Sequence, residues 1–508
     1  MTTLSKIKSM DELVQIVRSE QKNNRVVVHC HGVFDLLHIG HIRYFNQAKR
    51  HGDILIVTLT PDRYVDKGPS RPAFTENLRA EAIASLNDVD FVAVNEWLTA
   101  VDTLRLLRPD VYAKGDEFQG INTDPTGKMA TEANVVREIG SKLVFTTDIV
   151  FSSSNLINRY LANFTNEQRD YLHLFRERHP LPEILEVLDK MSQLRVLVIG
   201  DVILDEYQYC QAIGKSSKDP ILALHYHSHE IYAGGVLAVA NHIAGFAGQV
   251  DLVAAIGEND PHESLIRQEL RPNVHAKLIT RTNAPTTLKR RFVDANSLQK
   301  IIEIYVMDDN PLTASQNETL SQYITQNLND WDIIVVSDFG HGLISQDLIH
   351  TLCDTEAYLA VNTQANAGNR GFNTIGKYPR TNFFSLAEHE LRLETRDQSS
   401  PLRLQLQAVT KQKQANTAVV TQGHKGCVVM GANEDFVKTP SFACKVVDKV
   451  GAGDALFAVA AMAARLEASP EVVGFLGSMA GSLAVKVIGN QRSVEKLALT
   501  KAITAFMK

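Results

Sequence analysis

Residues 9 to 20 carry the apolar spacing of a short amphipathic helix, and beyond them short apolar runs alternate with helical patterns. The expected strands are Arg25–His29, Asp53–Thr58, Asp90–Val94, Asp110–Lys114 and Lys142–Thr146. Alternation of this kind predicts an α/β fold with a parallel sheet covered on both faces. Ligands then bind where loops leave the carboxyl ends of the strands. The pattern breaks between Asn163 and Gln193, where charge rises and His179-Pro180-Leu181-Pro182 suggests two short helices and a joint. A second series opens at Arg195 with the buried strand of Val196–Ile199. The boundaries expected are a first domain at 1–162, a helical linker at 163–192 and a second domain at 193–508.

Length agrees with this division, because 508 residues exceed what one core accommodates. A hydrophobic content of 44%, a charged content of 22% and few prolines describe an ordinary globular chain. The net charge of −6 gives no general reason to expect nucleic acid or membrane as a partner. Five widely spaced cysteines without a CxxC suggest neither a disulfide framework nor a thiolate zinc site. With no signal-peptide pattern and no run of about 18 apolar residues, a cytoplasmic protein is expected.

The chemistry of the first domain centres on His31-Gly32-Val33-Phe34-Asp35-Leu36-Leu37-His38-Ile39-Gly40-His41, which follows an apolar strand and opens a helix running to about Arg50. Free N–H groups and the helix dipole at such a start attract phosphate. On these residues alone the histidines could simply cap or pack. Downstream stand Lys49 before Gly52-Asp53, the cationic loop Asp66-Lys67-Gly68-Pro69-Ser70-Arg71-Pro72, a helix from Thr75 to Leu86 containing Arg79, Lys114-Gly115-Asp116 at the end of a strand, and Ser152-Ser153-Ser154 before a helix over Asn155–Leu161. Lys67 and Arg71 could clamp phosphate oxygens, Thr75 could cap its helix, and three hydroxyls at a helix start suit a triphosphate.

The eleven-residue stretch resembles the GxFDxxHxGH motif of the cytidylyltransferase-like nucleotidyltransferases, and the resemblance extends from about 25 to 162. It implies a Rossmann-like domain in which an acceptor phosphate oxygen attacks the α-phosphate of a nucleoside triphosphate, ATP or CTP, and pyrophosphate leaves. His38, His41, Lys49 and Arg79 would then be catalytic, with Mg²⁺ as cofactor. Gly32, Val33, Phe34, Asp35, Lys67, Arg71, Lys114, Gly115, Asp116, Ser152, Ser153 and Ser154 would bind the nucleotide.

In the second domain a buried strand is followed by Asp201 and Asp205, and far downstream Asp448-Lys449-Val450-Gly451-Ala452-Gly453-Asp454 forms a glycine turn opening a helix. Backbone N–H groups in such a turn approach a phosphate, and an aspartate there can accept a proton from an attacking hydroxyl. These segments resemble the ribokinase-like (PfkB) sugar kinases from about 193 to 500. The resemblance implies ATP as phosphate donor, Asp454 as base, and Thr421, Gly423, Gly451, Ala452 and Gly453 on the nucleotide. Asp201, Asp205, Gly234, Gly235, Asn241, Lys289 and Arg291 would lie on the sugar, with Asp338 and Glu388 near nucleotide and metal, Glu388 being the metal candidate. Residues 206 to 233 would form a small β lid through which the chain makes a homodimer.

Both halves together resemble the bifunctional heptose-7-phosphate kinase/heptose-1-phosphate nucleotidyltransferases, with the domain order reversed. Ala238, His341, Gln364 and Ser385 depart from that pattern, each replacing a lysine or asparagine of the family. The expectation is a bifunctional enzyme that makes a nucleotide-activated sugar or polyol for a cell-surface glycan. Two alternatives stay open: a transferase whose kinase-like half is a binding or dimerising module, and a small-ligand sensor.

Overall fold

The structure is a computed structural model that describes residues 3–65, 72–115, 128–146, 165–443 and 446–507. It divides into two compact units, Met1–Thr165 with Thr500–Lys508, and Asn166–Leu499. Among the described residues no helix is long and apolar enough to cross a membrane.

The first unit is built on five parallel strands, β1 (Val27–Gly32), β2 (Ile54–Leu59), β3 (Phe91–Val94), β4 (Val111–Gly115) and β5 (Lys142–Thr146), in the order β3-β2-β1-β4-β5. Successive residues of β1 face opposite sides, so Val28 and Cys30 join one core with Phe45, Ala48, Ala80 and Ile83. Val27 joins another with Leu13 and Val17 of the helix Met10–Lys22. Apolar residues on both faces explain why the sheet is covered twice. Strand order reverses between β1 and β4, which opens a crevice at their carboxyl ends. The His31–His41 stretch and Lys114-Gly115 both end there.

In the second unit one strand belongs to two structures. β6 (Arg195–Lys215) begins in a parallel sheet between β8 (Gln249–Asn259) and β12 (Ile333–Asp338). It then continues outward, pairing with β7 (Leu222–Gly235) and β10 (Leu288–Asp294). β9 (Val274–Pro285) extends the parallel sheet beyond β8, and β13 (Leu359–Thr363), β14 (Phe383–Ala387), β15 (Thr417–Thr421), β16 (Cys427–Gly431) and β17 (Phe436–Thr439) follow β12, the last two antiparallel. The outward sheet is the expected lid, enlarged by β10, which carries Lys289 and Arg291, and by its antiparallel partner β11 (Lys300–Val306); of these two the sequence pattern does not single out β11. The helix Ala452–Arg465 is buried along most of its length, which accounts for its run of alanines.

The two linker helices, Asn166–Arg178 and Leu181–Met191, belong to the second unit. Phe175 is buried, its ring centroid 4.3 Å from that of Phe475, and both Arg178 and His179 pair with Glu471. Replacing Phe175 by Ala should therefore cost about 3–5 kcal/mol of stability. Urea denaturation of the whole chain checks this: the transition of the second unit moves to lower denaturant, and that of the first stays in place.

Candidate active sites

In the first unit the turn after β1 is held by buried polar contacts. Phe34 adopts a left-handed backbone (φ 46°), which sets its ring edge-on to His41 at 5.3 Å between centroids. Asp35 Oδ1 accepts N–H bonds from Ala73 (2.6 Å) and Phe74 (3.2 Å), tying the turn to the segment that follows residue 71. His38 caps the helix Ile39–Lys49: its Nδ1 accepts the Gly40 N–H at 3.1 Å, which places its ring proton on Nε2. The His38 and His41 rings stack with centroids 3.9 Å apart. Two imidazoles thus stand together at a helix N-terminus above the strand-order reversal, where an anion is favoured.

Two of the expected catalytic residues take other roles. Lys49 closes the same helix eight residues beyond His41, which puts it about 12 Å further along the axis, at the opposite edge of the sheet. There it donates to Asp53 O (2.6 Å) and pairs with Asp90. Arg79 is 2% exposed, and its guanidinium is committed to Phe74 O (3.1 Å), Val33 O, Thr60 O (2.9 Å) and Asp62 Oδ1 (2.7 Å). It positions the turn instead of projecting into the crevice. Thr75 makes no side-chain cap; the N–H of Glu76 donates to Asp62 instead. Lys114, at the end of β4, is buried in an ion pair with Glu132 at 2.9 Å, and Tyr112 donates to the same carboxylate. Lys67, Arg71, Asp116, Ser152, Ser153 and Ser154 lie outside the described residues.

The same face of the sheet carries a polar chain that sequence reading missed. Thr58 Oγ1 lies 2.8 Å from both His29 Nε2 and His31 Nδ1, and burial pushes His29 well below the usual histidine range. The expected strand stops at His29, and β1 runs on to Gly32, which puts His31 on the same face as His29.

In the second unit Asp205, on β6, pairs with Arg291 of β10, and Arg291 Nε donates to Glu303 at 2.7 Å. A Cβ added at Gly234 would lie 2.2 Å from Asp205 Oδ2, so β7 can pass this close only with glycine there. Gly235 is the cap of the helix Val236–Ala244. Asp454 stands on the first turn of the helix Ala452–Arg465, whose cap Gly451 has φ 81°. Burial, and then the Asp205 carboxylate, push the Asp454 carboxyl up to about 7, against the opposing pull of Lys289. The Lys289 ammonium is itself lowered by burial. Asn490, which the sequence reading left out, bridges the halves of this site: its Nδ2 donates to Asp205 Oδ2 at 3.4 Å, and its Oδ1 packs against Gly451.

Three expected contacts are redirected. Asp201 accepts N–H bonds from Phe339 (3.0 Å), His341 (3.1 Å) and Leu343 (3.2 Å), so it shapes the loop after β12 and does not present its carboxylate to a sugar. Asn241 faces away, donating to Glu269 O and accepting from Arg271 N. Glu388 has both oxygens engaged, one by Arg392 (2.8 Å) and the other by Gln422 (2.7 Å), which does not fit a metal ligand. Among the described residues no group of three or more His, Cys, Asp or Glu side chains is placed to hold a metal ion. Asp338 is buried, accepting from Tyr378 (2.6 Å) and pairing with Lys377. Thr421 ends β15, and Gly423 has open space where a side chain would be.

Comparison with known proteins adds to this geometry. The family model described as pfkB family carbohydrate kinase matches residues 193–497, and the model described as Cytidylyltransferase-like matches 29–159. The Bifunctional protein HldE of Campylobacter fetus is 38% identical over 156 residues, 30% of this chain and 31% of its own. That of Syntrophotalea carbinolica is 34% identical over 164 residues, 32% of each chain. The chain thus aligns with about a third of the length of these curated relatives. Phosphofructokinase-2 from Escherichia coli, solved with fructose-6-phosphate, is similar with a TM-score of 0.51 and 18% identity, over 62% of this chain and 100% of that one. At that identity the likeness concerns the fold.

Lys49 and Arg79 separate cleanly by experiment. Lys49→Met should leave nucleotide-dependent pyrophosphate release within about twofold, since a surface ion pair far from the crevice contributes about 0–1 kcal/mol. Arg79→Met should cost about 3–5 kcal/mol of stability by stranding buried acceptors. Pyrophosphate assays and denaturant titration on the two variants decide it.

Proposed function

The chain belongs to the pfkB family of carbohydrate kinases, and on that premise we propose a bifunctional enzyme that phosphorylates a sugar with its second unit and activates a sugar or polyol phosphate with its first. The observation that carries the reading is that each unit sets reactive side chains at a helix start fed by a turn: the stacked His38–His41 pair in one, Asp454 beside Asp205 in the other.

In the first unit, an acceptor phosphate oxygen attacks the α-phosphate of ATP or CTP, the bond to the β-phosphate breaks and pyrophosphate leaves. His38 and His41 stabilise the charge that builds on the phosphates, a task in which one preorganised donor is worth about 2.7–4 kcal/mol. In the second, Asp454 takes the proton of a sugar hydroxyl as its oxygen attacks the γ-phosphate of ATP, and the Gly451–Gly453 amides hold the transferred charge. Mg²⁺ would accompany the nucleotides in both reactions; Glu388 is not proposed as its ligand. Nucleoside triphosphates as substrates fit a cytoplasmic location, and a nucleotide-activated sugar fits supply of a surface glycan.

The sugar is proposed to differ from heptose 7-phosphate. At one departing position, His341 is buried against Asp309 at 2.8 Å, so its ring is held there and does not stand in for a lysine. The committed carboxylates of Asp201 and Glu388 favour a second reading, in which this half binds or dimerises without catalysis.

Pyrophosphate release from each of four nucleoside triphosphates, and ATP consumption across a sugar panel, test these readings. His41→Ala should abolish the first reaction and leave the second; Asp454→Asn should do the reverse. The kinase rate should fall as pH drops below about 7, because the base must be deprotonated, and Asp205→Asn should move that limb to lower pH by removing the neighbouring carboxylate. Near-full transferase turnover in His41→Ala contradicts the first assignment. Robust use of heptose 7-phosphate contradicts the altered substrate, and no turnover on any sugar favours the second reading.

We also infer a homodimer through the lid. Ile302, Ile304 and Val306 alternate along β11 and are exposed together, an apolar face that monomers seldom leave bare. Sedimentation at micromolar concentration should give a dimer, and Ile302→Glu with Ile304→Glu a monomer. A monomeric native chain contradicts the inference.

A further inference from the structure

Asp448 lies where three segments of the second site meet. Its Oδ1 accepts from Val450 N (3.2 Å) and Lys300 Nζ (2.8 Å), and its Oδ2 accepts from the Tyr207 hydroxyl (2.6 Å) and Gly489 N (3.1 Å). The Val450 bond folds the chain toward Gly451. The Gly489 bond fixes the loop whose next residue, Asn490, reaches Asp205 and packs on Gly451. The two remaining donors come from the lid, Tyr207 from β6 and Lys300 from β11.

These lid donors differ in kind. Tyr207 is 2% exposed, two residues beyond Asp205 on a strand continuous with the main sheet, so it is a fixed support. Lys300 is 32% exposed, on the strand at the outer edge of the lid, whose partner among the described strands is β10. Burial alone would raise the Asp448 carboxyl, but the Lys300 and Tyr207 bonds outweigh it and hold the group below its usual range. An ion pair exposed on one side is screened and weak enough to open and re-form, whereas the buried hydroxyl bond stays.

We propose that Lys300 is a positioning residue that latches the edge of the lid to the Gly451–Gly453 turn, so that closing the lid over a sugar and ordering the amides facing the transferred phosphate are one event. The proposal rests on the kinase reading of this unit. Lys300 acts through Asp448, to which its ammonium is bonded.

The test uses the full chain with Lys300→Met, Lys300→Arg and, should the first fail to fold, Lys300→Gln. Hydrogen–deuterium exchange is followed over 298–306 and 446–456, with kcat and KM for the sugar. Lys300→Met should raise exchange in both stretches together and lower kcat about tenfold with KM within about twofold, a loss felt in the transition state. Lys300→Arg should restore most of both. Faster exchange in the lid stretch alone, or unchanged kcat, overturns the latch. If the native chain turns over no sugar, the kinase reading fails, and exchange still decides: joint loosening supports the latch and independent loosening overturns it.

Discussion

The pairing of Asp205 with Arg291 is the contact on which the second site depends. Both groups are nearly buried, and a buried charge without its partner is costly by several kcal/mol. Arg291 also takes Glu303, so one guanidinium neutralises two carboxylates across β6, β10 and β11. This fixes the lid strands in register over the main sheet. It also leaves Asp205 with a neutralising partner while its carboxylate adds to the burial that pushes the Asp454 carboxyl up. Gly234 and Asn490 complete the arrangement by close approach to Asp205.

The first unit meets the same constraint by other means. Its turn after β1 is stabilised by Arg79 on three backbone carbonyls and by Asp35 on two backbone amides, so charged side chains serve the backbone and leave His38 and His41 at the helix start. Lys114 and Glu132 neutralise each other beneath the crevice. In the first unit the strand feeding the turn is parallel and buried, which leaves its carboxyl end as the place where a phosphate can meet unsatisfied amides.

Much of this was legible in the sequence because hydrophobic period and glycine turns are local signals. The five strands of the first unit, the start of β6 and the helix after Gly451 follow from them. What a charged residue faces is not local. Lys49 and Arg79 stand on the expected helices, yet one lies at the wrong end and the other is turned inward. Asp201 stands on β6 just where its pairing with β12 ends and Glu388 opens the helix after β14, but their oxygens are taken by a loop and by Arg392 and Gln422. Asn490 and Lys300 reach the site only because folding brings their segments to Asp205 and Asp448, a juxtaposition that no spacing in the chain encodes.

The central claim is that one chain moves two different phosphates at two sites. Phosphorus-31 NMR on the purified full chain, supplied with ATP, CTP and a mixed panel of sugars and sugar phosphates, observes both directly. The account predicts a new phosphomonoester, from γ-phosphate transfer, together with a nucleotide-sugar diphosphate and free pyrophosphate. A spectrum that gains only one of these product classes, or neither, would contradict it.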